Sequence, residues 1–440
     1  MITLRTAVSG WLLISTLLLF SCRSEDSSPS PSARAPTEVL LWHGMFTPQM
    51  QTFLERTIAR FNADHPSIHV QIERYVGHQD EAARRLQLKL ALDERPDLAW
   101  LPPPYTGDLA RSGALRPVAD FIATDSSFDA RDIYPWLWEA ASYQGTRYTL
   151  PYQTNSLALL YNKRFFRDAG LSPPKTWADL VDAARQLTVD HNADGAPERH
   201  GLMLPLGHRE WTVWTWQTFL WQAGGEFLAS DQQAVAFQSP AGQEALQLWI
   251  DLVHTHRAAR LSAPEEGWNV TPFINGEVAM QITGPWYLSQ LHAADDLEFG
   301  VTPLPCNERC ATNIGGENLY VLQSTPEREA AAWTLAKYLV QPRVQRERLQ
   351  TIHQFPSRRS VAESEWMTTY LSTRPQLRVF HEVLEHGRMR PSIPGYFSAS
   401  QALGREIERA LRGEKPAASA LRDAAERATT ILQRTHSQND

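Results

Sequence analysis

From Glu38 onward the chain alternates short apolar runs with longer helical patterns, and that alternation leaves few folds open. EVLLWH is an apolar run of strand length, Phe53, Leu54, Ile58 and Phe61 recur near helical spacing, and Ile68, Val70 and Ile72 alternate as in a strand. DEAARRLQLKLAL then reads as a helix and DLAWLP as another buried strand. A β-α-β-α-β order marks a parallel sheet covered by helices, so the expected class is α/β. At 440 residues the chain exceeds the size at which one core usually keeps growing, and two domains follow. The middle, Thr154 to His292, mixes strands with helices such as TWADLVDAARQL, whose Thr176 is an N-cap candidate. The end, Thr325 to Gln433, is mainly helical: Pro326 sits at the first position of one helix and Pro342 closes it.

The first residues, MITLRTAVSGWLLISTLLLFSC, hold one positive charge at Arg5, an apolar run from Trp11 to Phe20, then Ser21 and Cys22. Spanning a bilayer takes about twenty apolar residues, so this run reads instead as the core of an export signal. Leu19-Phe20-Ser21-Cys22 resembles the bacterial lipobox, which implies removal of residues 1–21 and acylation of the Cys22 thiol, Phe20 being a departure from the small residue usual there. The segment RSEDSSPSPSARAP, Arg23 to Pro36, is too rich in Ser and Pro to bury a core and reads as a flexible tether, so residues 22–36 join an anchor to a folded body. The expected location is exported, facing the periplasm or the cell exterior. A formal net charge of −7, more negative still once Arg5 is removed, speaks against a nucleic-acid partner.

Three cysteines are present. With Cys22 lipidated, Cys306 and Cys310 remain as a pair in an oxidising compartment, where a disulfide is the leading reading. A zinc site would want four ligands, and no second Cys or His pair stands at ligand spacing nearby. A redox pair would usually be C-x-x-C opening a helix, whereas this C-x-x-x-C lies between strand-like segments.

HEVLEH, His381 to His386, suggests a zinc protease only superficially, since its histidines are five apart, about 140° round a helix, and read as a solvated helix face. Asp190, Asn192, Asp194 and Gly195 have calcium-loop spacing, but Gly201 stands where the bidentate Glu belongs, and an ordinary tight turn explains them as well. The phosphate-loop, dinucleotide and G-x-S-x-G patterns are missing, and no cofactor is expected. Aromatic density beside glycines stands out: WHGMF, PPPYTGD, REWTVWTWQTFLW, GWNVTPF, GPWY and PGYF. Most such rings pack cores, and Trp214 and Trp221 fit one inward helix face. Rings in turns at strand ends are different, because turns bind ligands disproportionately, and a flat apolar face beside amides and carboxylates suits a sugar ring.

Several stretches together resemble one family. YTLPYQTNSLALLYNKRFFRDAGLSPPKTWADLVDAARQLT, FINGEVAMQITGPWYLSQL, IGGENLYVLQSTPEREAAAWTLAKYL and PDLAWLP with LARSGALRPVADFI are similar, in order and spacing, to the extracellular solute-binding proteins of ABC importers, in the sugar-binding group that includes the maltose-binding protein. The resemblance implies a two-lobed periplasmic-binding-protein fold of type II-like form, with a ligand cleft between lobes joined by crossing strands. It implies an N-terminal lobe of 37–150 plus 316–345 and a C-terminal lobe of 151–315 plus 346–440, crossed near Pro151 and beside Gly315. Trp286 matches the sugar-stacking tryptophan of the family, and Asn155 a polar ligand position that carries Glu there. His43 and Met45 match contacts at the turn after the first strand, where Met45 replaces an acid. Pro104 and Tyr105 match another ligand loop, and Gly316 and Glu317 a Gly-Gly turn that reaches the ligand. Trp211, Trp268, Arg390 and Tyr396 stand in further loops on the cleft side. The expected function is therefore that of a monomeric, lipid-anchored receptor, not an enzyme, delivering a di- or oligosaccharide to a permease served by a separate ATPase. A polyamine, iron or an organic anion as ligand, or a secreted glycoside hydrolase with paired carboxylates, are the alternatives.

Overall fold

A computed structural model describes residues 35–437 apart from 45–46, 76–78, 93, 193, 264–265 and 268. The export segment, Cys22 and most of the tether, together with Met45 and Trp268, lie outside the described residues.

The alternating start of the chain forms what its pattern predicts. Strands Thr37–His43, Ile68–Arg74 and Leu98–Leu101 are parallel neighbours, with Leu41 opposite both Ile72 and Leu98. Helix Pro48–Asp64 follows the first strand, capped by Thr47, whose side chain accepts the Met50 amide at 3.2 Å, and with Pro48 in its first turn. It buries Met50, Phe53, Leu54, Ile58 and Phe61, each contributing about 1.5–3 kcal/mol of burial. Two later strands complete the parallel trio from the far side. Thr312–Val321 runs antiparallel to Leu98–Leu101, and Thr149–Ser156 runs antiparallel to Thr312–Val321. Phe355–Pro356 and Gly387–Met389 also join, giving a seven-stranded sheet.

A second, five-stranded sheet has the order Phe299–Thr302, Ala158–Asn162, Val278–Thr283, His200–Leu204, Ala259–Leu261. The two sheets and the helices on them form two lobes. The chain passes from the first sheet to the second across a single residue, Leu157, whose carbonyl accepts the Thr312 hydroxyl at 2.7 Å. It returns through residues 303–311, where Cys306 and Cys310 are joined by a disulfide. This loop is held by several hydrogen bonds: the Cys306 amide donates to the Lys175 carbonyl at 2.8 Å, the Trp177 amide to the Cys306 carbonyl at 3.1 Å, and Arg309 to the Gly225 carbonyl at 3.2 Å. It therefore ties the start of helix Trp177–Leu187 to the end of helix Glu210–Gln222. Thr176 caps the former in a full capping box with Asp179.

Residues 346–356, on the C-terminal side of the implied lobe boundary, are bonded to the first sheet. Glu347 pairs with Arg60 of the first helix, and the buried Arg348 guanidinium donates to the Tyr152 carbonyl at 2.6 Å. Pro342 does not merely end a helix; it opens the next, Pro342–Ile352. HEVLEH is not one helical face either: helix Pro375–Glu382 gives way to a 3-10 turn at Val383–His386, and the His381 ring lies 5.5 Å from Phe355.

Candidate ligand-binding site

The two strands that carry the chain between sheets also carry the densest group of expected site residues. Their register sets Asn155 opposite Gly315, Thr154 opposite Gly316 and Gln153 opposite Glu317. Side chains on opposed residues of an antiparallel pair share a face, so Gln153, Asn155 and Glu317 project together. Gln153 Nε2 donates to Glu317 Oε2 at 2.6 Å, and Asn155 Nδ2 donates to Gln354 Oε1 at 2.8 Å. All four side chains are buried.

The glycines here are steric requirements. Gly316 has φ +129°, a backbone state other residues rarely adopt, and a Cβ on it would lie 2.1 Å from the Gln153 carbonyl oxygen. A Cβ on Gly315 would lie 2.4 Å from Asn155 Oδ1 and 2.7 Å from the Trp214 ring. Gly315 thus lets an indole approach the polar strands.

Trp214 belongs to helix Glu210–Gln222, every residue of which is buried. Its ring stands 6.0 Å from Trp286, with the planes inclined by 27°. Trp286 sits in the short 3-10 turn Pro285–Tyr287 that follows strand Val278–Thr283. Arg390 lies over the first ring of this pair, its guanidinium carbon 5.4 Å from the Trp214 centroid. The Arg390 charge is met by Glu210 at 2.9 Å, and Glu210 also accepts from Tyr396 Oη at 3.0 Å and from the Ser400 hydroxyl. The Glu210 pKa is raised, chiefly by burial, which Arg390, Ser400 and Tyr396 offset only in part. Gln217 links the groups further, donating to Tyr396 Oη at 3.0 Å and accepting from Asn313 Nδ2 at 3.2 Å.

Trp286, Asn155, Gly316, Glu317, Arg390 and Tyr396 therefore fall in one connected region. Tyr396 is fully buried, so its hydroxyl acts within that network. Tyr105, in the 3-10 turn Pro103–Tyr105 with Pro104, packs on Phe397 with ring centroids 4.1 Å apart and planes tilted by 30°, beside Tyr396. His43 ends the first strand, buried; burial and then Arg74 lower its pKa to about 4. Its carbonyl accepts the Tyr75 amide at 3.0 Å, and the Tyr75 ring packs on Trp42 at 4.5 Å. Trp211 is buried at the start of the tryptophan helix, where its indole donates to the Leu206 carbonyl at 3.3 Å. Asp190, Asn192 and Asp194 form a separate turn whose side chains accept its own amides: Asp190 that of Gly195 at 3.0 Å, Asn192 that of Asp194 at 3.0 Å, and Asp194 that of Ala196 at 2.8 Å. Among the described residues no group of three or more His, Cys, Asp or Glu is placed to hold a metal ion.

Gln153, Glu210, Trp214, Gly315 and Gln354 join the region, though no local pattern in the sequence marks them as site residues. Only the aromatic density around Trp214 was a visible signal.

The profile of the bacterial extracellular solute-binding proteins matches residues 56–373. A maltotriose-binding protein of Pyrococcus abyssi is 21% identical over 365 residues, covering 81% of this chain and 74% of its own. The structure is similar to that of an ABC transporter solute-binding protein from Thermotoga lettingae TMO bound with alpha-D-tagatose, with TM-score 0.79, 28% identity, and coverage of 90% of this chain and 100% of the other. It is also similar to UgpB from Mycobacterium tuberculosis in complex with glycerophosphocholine, with TM-score 0.80, 20% identity, and coverage of 91% and 99%. The chain belongs to the bacterial extracellular solute-binding proteins, the binding subunits of ABC importers. Its fold is the two-lobed periplasmic-binding-protein fold, and its family binds substrates rather than converting them. Family membership makes it an exported protein, and no helix among the described residues is long and apolar enough to cross a membrane.

Proposed function

We propose that this protein captures a carbohydrate, of di- or oligosaccharide size, between its lobes and delivers it to an ABC permease driven by separate ATPase chains. A lipid on Cys22 holds it to the membrane, with residues 23–36 as the tether. The observation that carries this reading is the Trp214 and Trp286 pair set against the amides of Gln153 and Asn155 and the Glu317 carboxylate. Aromatic faces suit the C–H faces of a pyranose, contributing about 1 kcal/mol beyond burial. Buried amide oxygens suit its hydroxyls, each lost partner costing about 1–3 kcal/mol. The names of two relatives, a maltotriose-binding protein and a tagatose-bound receptor, support the same ligand class.

Trp286, Asn155, Gly316 and Glu317 are the residues we assign to the ligand, with His43, Met45, Pro104, Tyr105, Trp211 and Trp268 completing the loops around it. Lobe division follows the resemblance except that helix Pro342–Ile352 and strand Phe355–Pro356 go with the first lobe, to which they are bonded. Closure would be favoured by ligand because contacts to both lobes exist only when they meet.

Thermal unfolding of residues 36–440 against mono-, di- and trisaccharides tests the reading. A ligand bound only by the native form raises the midpoint, so one sugar is expected to shift it. A flat panel with folded protein would contradict the carbohydrate reading, and release of product from an oligosaccharide would contradict the receptor reading.

A further inference from the structure

We propose that Glu210 sets the charge selectivity of the cleft: by cancelling Arg390 beside the Trp214 ring, it makes the aromatic end accept uncharged hydroxylated rings and turn anions away. This rests on the reading that ligand occupies the aromatic pair. A guanidinium next to a stacking platform is ordinarily an anion receptor, because its planar fork matches phosphate and carboxylate. Here the fork is already engaged. Arg390 is 8% and Glu210 7% exposed, and they meet at 2.9 Å. Glu210 is itself fixed by Tyr396 and Ser400, both from the start of helix Tyr396–Leu411, so it cannot swing aside without losing three donors. An anion approaching Arg390 would have to displace or lie against a buried carboxylate, and both cost more in a low-dielectric setting.

The other buried guanidinium near the crossing strands, Arg348, has a backbone carbonyl and a ring as its partners rather than a carboxylate. Arg348 donates to the Tyr152 carbonyl at 2.6 Å and lies 3.9 Å from the Tyr152 ring centroid. The crossing strands themselves add acceptor capacity. Gln153 Oε1, Asn155 Oδ1 and Asn313 Oδ1 are buried carbonyl oxygens with no hydrogen-bond partner among the described residues. For Gln153 and Asn313 the amide orientation follows from the neighbours, since their NH2 groups face the Glu317 carboxylate and the Trp214 carbonyl. Three oxygens of this kind call for hydroxyl donors and oppose phosphate or carboxylate oxygens.

The test is calorimetric titration of wild type and Glu210→Gln with maltose, maltotriose and tagatose on one side and glucose 6-phosphate, glucuronate and sn-glycerol 3-phosphate on the other. Wild type is expected to bind the anions at least about tenfold more weakly than the best neutral sugar, and any closer affinity overturns the proposal even if the variant fails to fold. Glu210→Gln, with Arg390 uncancelled, is expected to gain about tenfold or more for a phosphate probe, a gain that weakens with added salt and vanishes when Arg390→Met is added. A folded Glu210→Gln protein with no gain for any anion overturns it. Failure of wild type to bind any sugar, together with the anion gain in the variant, would sink the carbohydrate reading and leave the role of Glu210 standing.

Discussion

The indole rings of Trp214 and Trp286 lie 6.0 Å apart, inclined by 27°, although one belongs to a buried helix and the other to a turn after a strand of the second sheet. Gly315 leaves no side chain between Trp214 and Asn155, so the first of these rings reaches the polar strands. Replacing Trp286 by Ala removes one member of the platform while leaving the polar strands in place. The expected result is loss of the sugar-induced rise in unfolding midpoint and about a tenfold or greater fall in affinity, with Trp286→Phe intermediate. Unchanged affinity in Trp286→Ala would remove this ring from the site.

Gly315→Ala puts a methyl 2.4 Å from Asn155 Oδ1 and 2.7 Å from the Trp214 ring, contacts that real structures do not hold. The strand, the indole or the amide must move. Overpacking of this kind costs about 1–3 kcal/mol, which denaturant unfolding would read, and ligand affinity should fall further than stability alone explains. A variant as stable and as tight-binding as wild type would show the region to be loosely packed.

Acid should weaken the fold well before carboxylates titrate. His43 and His353 both have pKa values lowered from 6.5 to about 4, in each case chiefly by burial. A histidine depressed in this way is neutral in the folded protein and charged in the unfolded chain between those limits, so the unfolded state binds more protons there. Stability is full above pH 6.5 and is lost as pH falls towards 4, by about 3 kcal/mol per group at most. Denaturant midpoints measured across that window should fall steadily, and His353→Gln should flatten part of the slope. A pH-independent midpoint from 7 to 4 would contradict the assignment.

The Cys306–Cys310 disulfide closes a short ring, for which chain entropy gives about 2 kcal/mol. Cys306→Ser with Cys310→Ser should lower stability by about that much, and reduction of the wild type should match it. The double variant should also soften the end of helix Glu210–Gln222, because Arg309 inside the ring bonds the Gly225 carbonyl and Glu226. Faster amide exchange at 221–226 would report this; unchanged exchange would show the clasp to be independent of that helix.

Local chemistry wrote much of the frame legibly. Strand alternation at Ile68–Ile72, the Thr176 cap and the C-x-x-x-C spacing each specify structure within a few residues, and each is present as read. The resemblance supplied Asn155, Gly316 and Glu317, which share the paired crossing strands, and Trp286, which is joined to them through Trp214. Glu210 was not legible, because its partners Arg390 and Ser400 stand 180 and 190 residues away and nothing local marks a buried carboxylate. The spacing of Trp214 and Trp221 predicts one inward helix face, whereas helix Glu210–Gln222 is buried on all sides, a state that erases the periodic pattern from which a face is inferred. Pro342 was ambiguous for a simple reason: a proline that cannot continue one helix is well suited to start the next.

Calorimetric titration of residues 36–440 with a graded series of neutral saccharides decides whether the cleft is a carbohydrate site. Saturable one-to-one binding of at least one di- or oligosaccharide, lost in Trp286→Ala, is expected. Saturable binding of a non-carbohydrate solute, with no heat from any saccharide, would contradict it.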